Sequence, residues 1–348
     1  AAGDAARAVA LFGRVLASPA LPDERAAPAW LGLAQAHEKL RDCVAAIRAY
    51  EAYLSRFPTG DQAVGARARR GACEAELEQW ELSAASYHDI AEQTELLPSA
   101  RVEALAREGY ALFMLDRMDE ADARLAQADA IHERAVEERS ERFASTEFVG
   151  MARFYRAAIL HRRFRDIEIR LPESAMQAAF TAKLELLVKA QDAYNHAIAA
   201  KHMFWVSAAG YQLGHLFSEL YDALMYAPVP EWLDARQREV YFEELKKQAR
   251  PVVTKAIWVF EKNLETARRL GYESEFIART EEKLGHLQAV MLSDDVALGQ
   301  PHPRLSDPGG PNGLDERDGE AAALDAPAAG GQASASDRKL FVPRPTPL

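Results

Sequence analysis

The chain has 348 residues, a formal net charge of −11 and an apolar fraction of 49%; it can bury more than one average domain's core and is not a disordered protein. Its charges are spread without a basic stripe, which argues against nucleic acid as a partner, and no apolar run approaches the ~18 residues that cross a bilayer. Ala, Leu, Glu, Arg and Gln dominate all but the C-terminal part, and no alternating stretch is long enough for a sheet, so the composition reads as all-α.

The chain opens inside a predicted helix, Asp4 to Leu16, with neither an initiator Met nor a signal peptide, which reads as a processed or trimmed product. Ala8 and Phe12 there fit the second helix of a hairpin. The clearest unit follows from Ala27 to Gly60, with landmarks Trp30, Leu33, Ala34, Ala46, Tyr50 and Pro58. Their order and spacing resemble the tetratricopeptide repeat (TPR) pattern. The physical logic is that small residues at Ala34 and Ala46 let two helices cross closely. Tyr50 then reaches the next repeat, and the proline ends the second helix. One hairpin cannot bury its own apolar face, so several must stack. Gly71, Ser83 and Tyr87 take the same roles in the next unit, and Gly109, Ala121, Leu125 and Ala128 in the one after, a period of roughly 34 to 38 residues. Cys43 and Cys73 fall on neighbouring predicted helices and read as packing residues; sequence does not decide whether they pair.

Beyond residue 140 the units lengthen, with helices predicted at about 145–166, 173–201, 204–226, 233–249, 251–270 and 273–292. Leu171-Pro172 and Ala227-Pro228-Val229-Pro230 break the pattern, and Pro251 marks either a helix start or a kink. Leu184, Leu187, Ala190, Tyr194 and Ile198 form one predicted face. Ala208, Ala209, Gly210 and Gly214 leave room for a close neighbour. From about Ser293 the chain becomes Pro-, Gly- and Ala-rich, a flexible tail, and residues 338–348 regain apolar anchors that read as a short linear motif or a docking segment. The organisation is thus regular repeats over 1–135, degenerate long-helix repeats over 136–292 and a tail over 293–348, in a right-handed superhelical solenoid of antiparallel helix pairs.

Chemistry-bearing motifs are absent: there is no HExxH, CxxC or GxSxG, and the glycines at 65, 71, 210 and 214 are expected inside helices at packing positions rather than after strands, so no catalytic residue, cofactor or metal is expected. His196 and His202 fall on opposite helix faces. His37, His161 and His215 read as satisfied or surface histidines. The informative surface is the groove of first helices, lined by Leu31, Gln35, Glu38, Ala72, Glu103, Arg107, Tyr110 and Phe113. Only Arg107 resembles a carboxylate-gripping residue. The groove is expected to take an apolar or helical segment with Tyr110 and Phe113 as anchors, unless the following repeat buries them.

The segment from Phe164 to Gly271, notably Trp205-Val-Ser-Ala-Ala-Gly-Tyr-Gln-Leu-Gly-His-Leu-Phe-Ser-Glu-Leu-Tyr221, resembles TPR proteins of myxobacteria and related Gram-negative bacteria, including an adventurous gliding motility component, over roughly residues 140 to 290. That resemblance implies a non-catalytic scaffold of the periplasm or outer membrane with proteins or peptide segments as partners, and membrane association only through a missing anchor or a partner. Two alternatives stand beside it: a cytosolic adaptor whose tail folds into its own groove, and a peptidoglycan-acting enzyme, which requires a catalytic Glu of raised pKa in a cleft. No Glu stands out in the sequence for that role.

Overall fold

The computed structural model describes residues 2–292, apart from positions 19, 61 and 231, together with Leu305; the 293–348 tail and its 338–348 motif otherwise lie outside the described residues. Among the described residues all regular structure is α-helical, in twelve helices. The chain forms two compact units that meet within one helix, unit 1 reaching Arg156 and unit 2 starting at Ala157.

Unit 1 contains α1 (Ala2–Leu16), α2 (Asp23–Lys39), α3 (Cys43–Arg56), α4 (Ala63–Glu76), α5 (Trp80–Ala91), α6 (Pro98–Met114), α7 (Met118–Glu138) and the first part of α8 (Glu147–Asp166). From α1 to α7 each helix packs on the next, the arrangement expected of TPR-like hairpins. The small-residue positions behave as the sequence implies. Ala34 and Ala46 are fully buried in one cluster with Tyr50. Ser83 Oγ donates to the Gly71 carbonyl at 2.9 Å, and a Cβ on Gly109 would stand 2.5 Å from Leu125 Cγ. Gly65 differs: it is exposed and a Cβ there would touch nothing within 4 Å, so it is no packing position.

The same turn joins the two helices of all three central hairpins. Arg41, Glu78 and Asp116 adopt φ of 61°, 59° and 64°, and each following amide reaches back five residues, Asp42 N to His37 O at 3.0 Å, Gln79 N to Glu74 O at 2.8 Å and Arg117 N to Leu112 O at 3.0 Å. This left-handed closure satisfies helix-end carbonyls, but with side chains where glycine is the unstrained residue. None of the three is glycine, so composition gave no sign of the turn.

Unit 2 contains the rest of α8 with α9 (Glu173–Ala199), α10 (Met203–Met225), α11 (Ala235–Leu270) and α12 (Glu275–Leu292). The two helices expected on either side of Pro251 are one continuous helix, α11. Its buried stripe of Phe242, Ala249, Val253, Ala256, Phe260, Leu264 and Ala267 runs past the proline at helical spacing, and burial of that stripe exceeds the ~3 kcal/mol that an interior proline costs. An Asp234–Gln237 capping box starts the helix and Gly271, at φ 60°, ends it. The α9 face is also shifted from the expected one: Lys183 and Ala197 are buried, while Leu184 is exposed. α11 lies so close to α10 that a Cβ on Gly214 would collide with the Phe260 ring, and one on Gly210 would stand 2.6 Å from Asn263 Cγ. Asn263 Nδ2 in turn donates to Ser207 O and Thr280 Oγ1, both at 3.1 Å, tying α10, α11 and α12 together.

Two outcomes are expected in urea unfolding. Glu78→Gly relieves the left-handed strain and stabilises by roughly 0.5–1 kcal/mol; a loss of stability would contradict the turn assignment. Gly214→Ala overpacks the α10–α11 crossing and destabilises by about 1–3 kcal/mol, whereas Gly285→Ala, on an exposed open site of α12, is neutral or stabilising.

Candidate functional site

The groove nominated from sequence is only partly open. On α2, Gln35 is exposed, Leu31 is half-buried against the repeat core, and Glu38 is half-buried. Glu38 accepts from Tyr50 Oη at 3.0 Å and from Arg69 Nη1 at 2.5 Å, so its charge is engaged between α2, α3 and α4. Burial first, and then the Glu38 charge, push the Tyr50 phenol up, keeping it a donor to that carboxylate. Ala72 on α4 is half-buried.

At α6 the groove closes. Every residue from Ala104 to Phe113 is buried, and the two expected anchors are core residues: Tyr110 is 3% and Phe113 5% exposed. Tyr155 of α8 lies 4.8 Å from the Tyr110 ring and 5.2 Å from the Phe113 ring, and Trp80 meets Tyr110 edge-on at 5.4 Å. Arg107 is likewise unavailable as a carboxylate grip. Its Nε donates to Glu103 Oε1 at 3.0 Å and its guanidinium covers the Phe148 ring at 4.8 Å, which makes the Glu103–Arg107 pair an internal one. The reason is α8, the helix expected at about 145–166: it brings Phe148 and Tyr155 over α6, so the following unit buries both aromatics.

A concavity of about 560 Å³ opens instead between α5, α6 and α7, lined by His88, Glu108, Leu112, Arg117, Glu120 and Arg124 among others. Glu108 there has the property asked of a catalytic acid: burial drives its carboxyl pKa up, against Arg124 and His88. The sequence gave no sign of this glutamate. Its Oε1, however, is held by Arg124 Nε at 3.0 Å and His88 Nδ1 at 3.1 Å, and Oε2 is buried without a hydrogen-bond partner. No oxygen of this carboxylate is presented to a substrate, so Glu108 serves the packing of α5, α6 and α7. Glu74, the other buried glutamate of raised pKa, is satisfied by Ser86 at 2.6 Å and Arg70 at 3.2 Å.

Unit 2 holds the densest set of titratable groups. His161 Nε2 is 3.0 Å from Glu219 Oε2, His215 Nδ1 is 3.2 Å from Glu219 Oε1, and Arg165 Nε is 3.1 Å from the same oxygen. His161 Nδ1 meets Tyr194 Oη at 3.0 Å. Burial opposes the charged form of His161 and lowers its pKa, against the pull of the Glu219 carboxylate. Burial opposes ionisation of Glu219, yet His161 and His215 outweigh it and hold the carboxyl well below the usual range. The sequence reading of these histidines as separate satisfied residues missed their convergence, which α8 and α10 create across more than fifty positions. His161, His215 and Glu219 offer three ligand atoms within 4.8 Å of one another, a set whose spacing could hold a metal. Arg165 already balances the carboxylate, and a divalent cation would have to displace it. His196 and His202 do not share a helix: His202 precedes α10 as its N-cap.

Beside this cluster Lys183 Nζ donates to the Phe164 carbonyl in the last turn of α8 and to the Ile167 carbonyl just past it, at 2.5 and 2.9 Å, over the Phe164 ring. It replaces the missing helical partners at the negative end of that helix. Burial nevertheless lowers its pKa to about 8, because two carbonyls do not replace the hydration of an ammonium. Between about pH 8 and 10.5 the unfolded chain therefore binds the extra proton, so this group's contribution to stability rises with pH in that window and is flat at its low value below it. Unfolding midpoints of the native chain and of Lys183→Met, compared at pH 7.5 and 9.5, should show that rise only in the native chain. Parallel pH slopes would count against it.

No family model matches the chain, and no curated protein matches it. Among solved structures the chain is similar to a TPR repeats protein from Bacteroides fragilis, with 14% identity and a TM-score of 0.33 over 76% of this chain and 98% of that one. So loose a superposition leaves the argument for TPR-like hairpins on the helix packing itself.

Proposed function

We propose that this chain is a non-catalytic protein-interaction scaffold that holds a helical or apolar segment of a partner against the first helices of its N-terminal hairpins. The observation that carries this reading is the uncovered α2–α4 face, where Gln35 is exposed and Leu31, Glu38 and Ala72 are half-buried, bridged by the Glu38–Arg69 ion pair. Such a face, with apolar surface at Leu31 and Ala72 and its one named cation paired to Glu38, suits a helix laid in a shallow groove better than a free carboxylate terminus, which needs unpaired cations. With Tyr110 and Phe113 inside the core, the anchoring bulk must come from the partner. The chemistry-bearing clusters support the non-catalytic reading, since the carboxylates of Glu74, Glu108 and Glu219 are each held by cations or hydroxyls of the chain itself.

The setting we infer is an assembly of a Gram-negative cell envelope of the gliding-motility kind, with the protein in the periplasm or at the outer membrane. This rests on the resemblance over roughly residues 140 to 290. A photo-crosslinking residue placed at Gln35 or Ala72, with the chain exposed to envelope fractions, should capture one discrete partner, and the same residue at Arg48, exposed on α3, should not. Equal capture from all three positions would refute the groove. Recovery of cytosolic chaperones alone would refute the envelope setting.

A further inference from the structure

Cys43 is the first residue of α3 and Cys73 lies in the last turn of α4. Both are free and buried, at 5% and 4% exposure, and their Sγ atoms stand 2.9 Å apart. Cys43 Sγ also lies 3.3 Å from Glu76 Oε2. Thirty positions separate them in sequence, and a pair of packing residues has no need to place both sulfurs head to head. The neighbours are those of the α2–α4 face, with Arg41 reaching Glu76 at 3.5 Å and Glu38 bridging Tyr50 and Arg69.

We propose that Cys43 and Cys73 form an intramolecular cross-link site, a dithiol that a low-molecular-weight disulfide such as oxidised glutathione converts to a disulfide joining one hairpin to the next. One cysteine thiolate attacks the glutathione disulfide and expels a glutathione thiolate. The second cysteine thiolate then attacks the protein-bound sulfur and expels the other. The two protons lost by the cysteines end on the two glutathione thiolates, so the protein is oxidised by two electrons and the reagent reduced by two. Cys43 is the first nucleophile, because it sits at the N-terminal end of α3 where a helix favours negative charge. Burial, reinforced by Glu76 and Glu38, pushes both thiols up, Cys73 further than Cys43. Oxidation is therefore slow at neutral pH and quickens as pH rises.

The cross-link closes a loop across the α3–α4 junction and restricts the unfolded chain. It also fixes the spacing of α2 and α4 on the proposed docking face, although the cross-link itself does not depend on that function. In an oxidising compartment the bond would persist, and in a reducing one it would not.

The full chain is equilibrated with oxidised glutathione at pH 8.5, then denatured without reductant and alkylated with iodoacetamide. The expected intact mass is that of the reduced chain less two hydrogens, with no alkylation and no added glutathione. The thermal midpoint should exceed that of the reduced protein by roughly 5 °C or more. In Cys43→Ala and in Cys73→Ala the midpoint should not respond to glutathione redox state, while each variant still folds, as its helical spectrum would show. Two alkylated cysteines in the native chain, stable glutathione adducts on both, or disulfides only between chains would each overturn the proposal.

Discussion

Unit 1 depends on the close crossing of paired helices at small residues. Where Ala34 meets the Ala46 level, Gly71 the Ser83 level and Gly109 the Ala121–Leu125 level, the small residue leaves room for one large residue per repeat, with Tyr50 in the cluster of Ala34 and Ala46, Tyr87 against Gly71 and Leu125 against Gly109. Each of these three is essentially inaccessible. The left-handed turns at Arg41, Glu78 and Asp116 follow from the same constraint, since helices so close must reverse direction within three residues. Unit 2 uses the same device at greater length, with Gly210 and Gly214 admitting Asn263 and Phe260.

Both units bury charged side chains, and unit 2 gathers several of them around one carboxylate. Longer helices bury more positions, and some of those positions carry charge. The chain resolves this by pairing: Glu219 gathers His161, His215 and Arg165, and Lys183 turns its ammonium onto the carbonyls that α8 leaves open. Removing one partner from such a set strands another charge without water, so each group is held by the cost of the alternative rather than by a large net gain. A cluster of this kind resembles an active site in composition, yet its carboxylate is already taken up by side chains of the chain itself.

Unit 1 shows the same distinction at its surface. The open stretch of first helices ends where α8 lays Phe148 and Tyr155 over α6, and the aromatic side chains best suited to anchor a partner became the anchors of the fold. The surface left free is small-residue and mildly polar, and it lies beside the Cys43–Cys73 pair. Docking and the redox state of that pair would therefore act on the same α3–α4 junction.

Helix content, the hairpin repeat, the small and bulky packing roles and the breaks near residues 172 and 228 were all legible in the sequence, because each depends on local periodicity and on side-chain volume at fixed spacing. Continuity through Pro251 was decided by a tertiary stripe that outweighed a local penalty. The burial of Tyr110 and Phe113 was decided by α8, a helix legible in the sequence whose packing over α6 was not. The inward turn of Lys183, the Glu219 cluster and the meeting of Cys43 with Cys73 depend on which distant residues come within about 3 Å, and only the packed structure specifies that distance, because sequence spacing carries no information across separate helices.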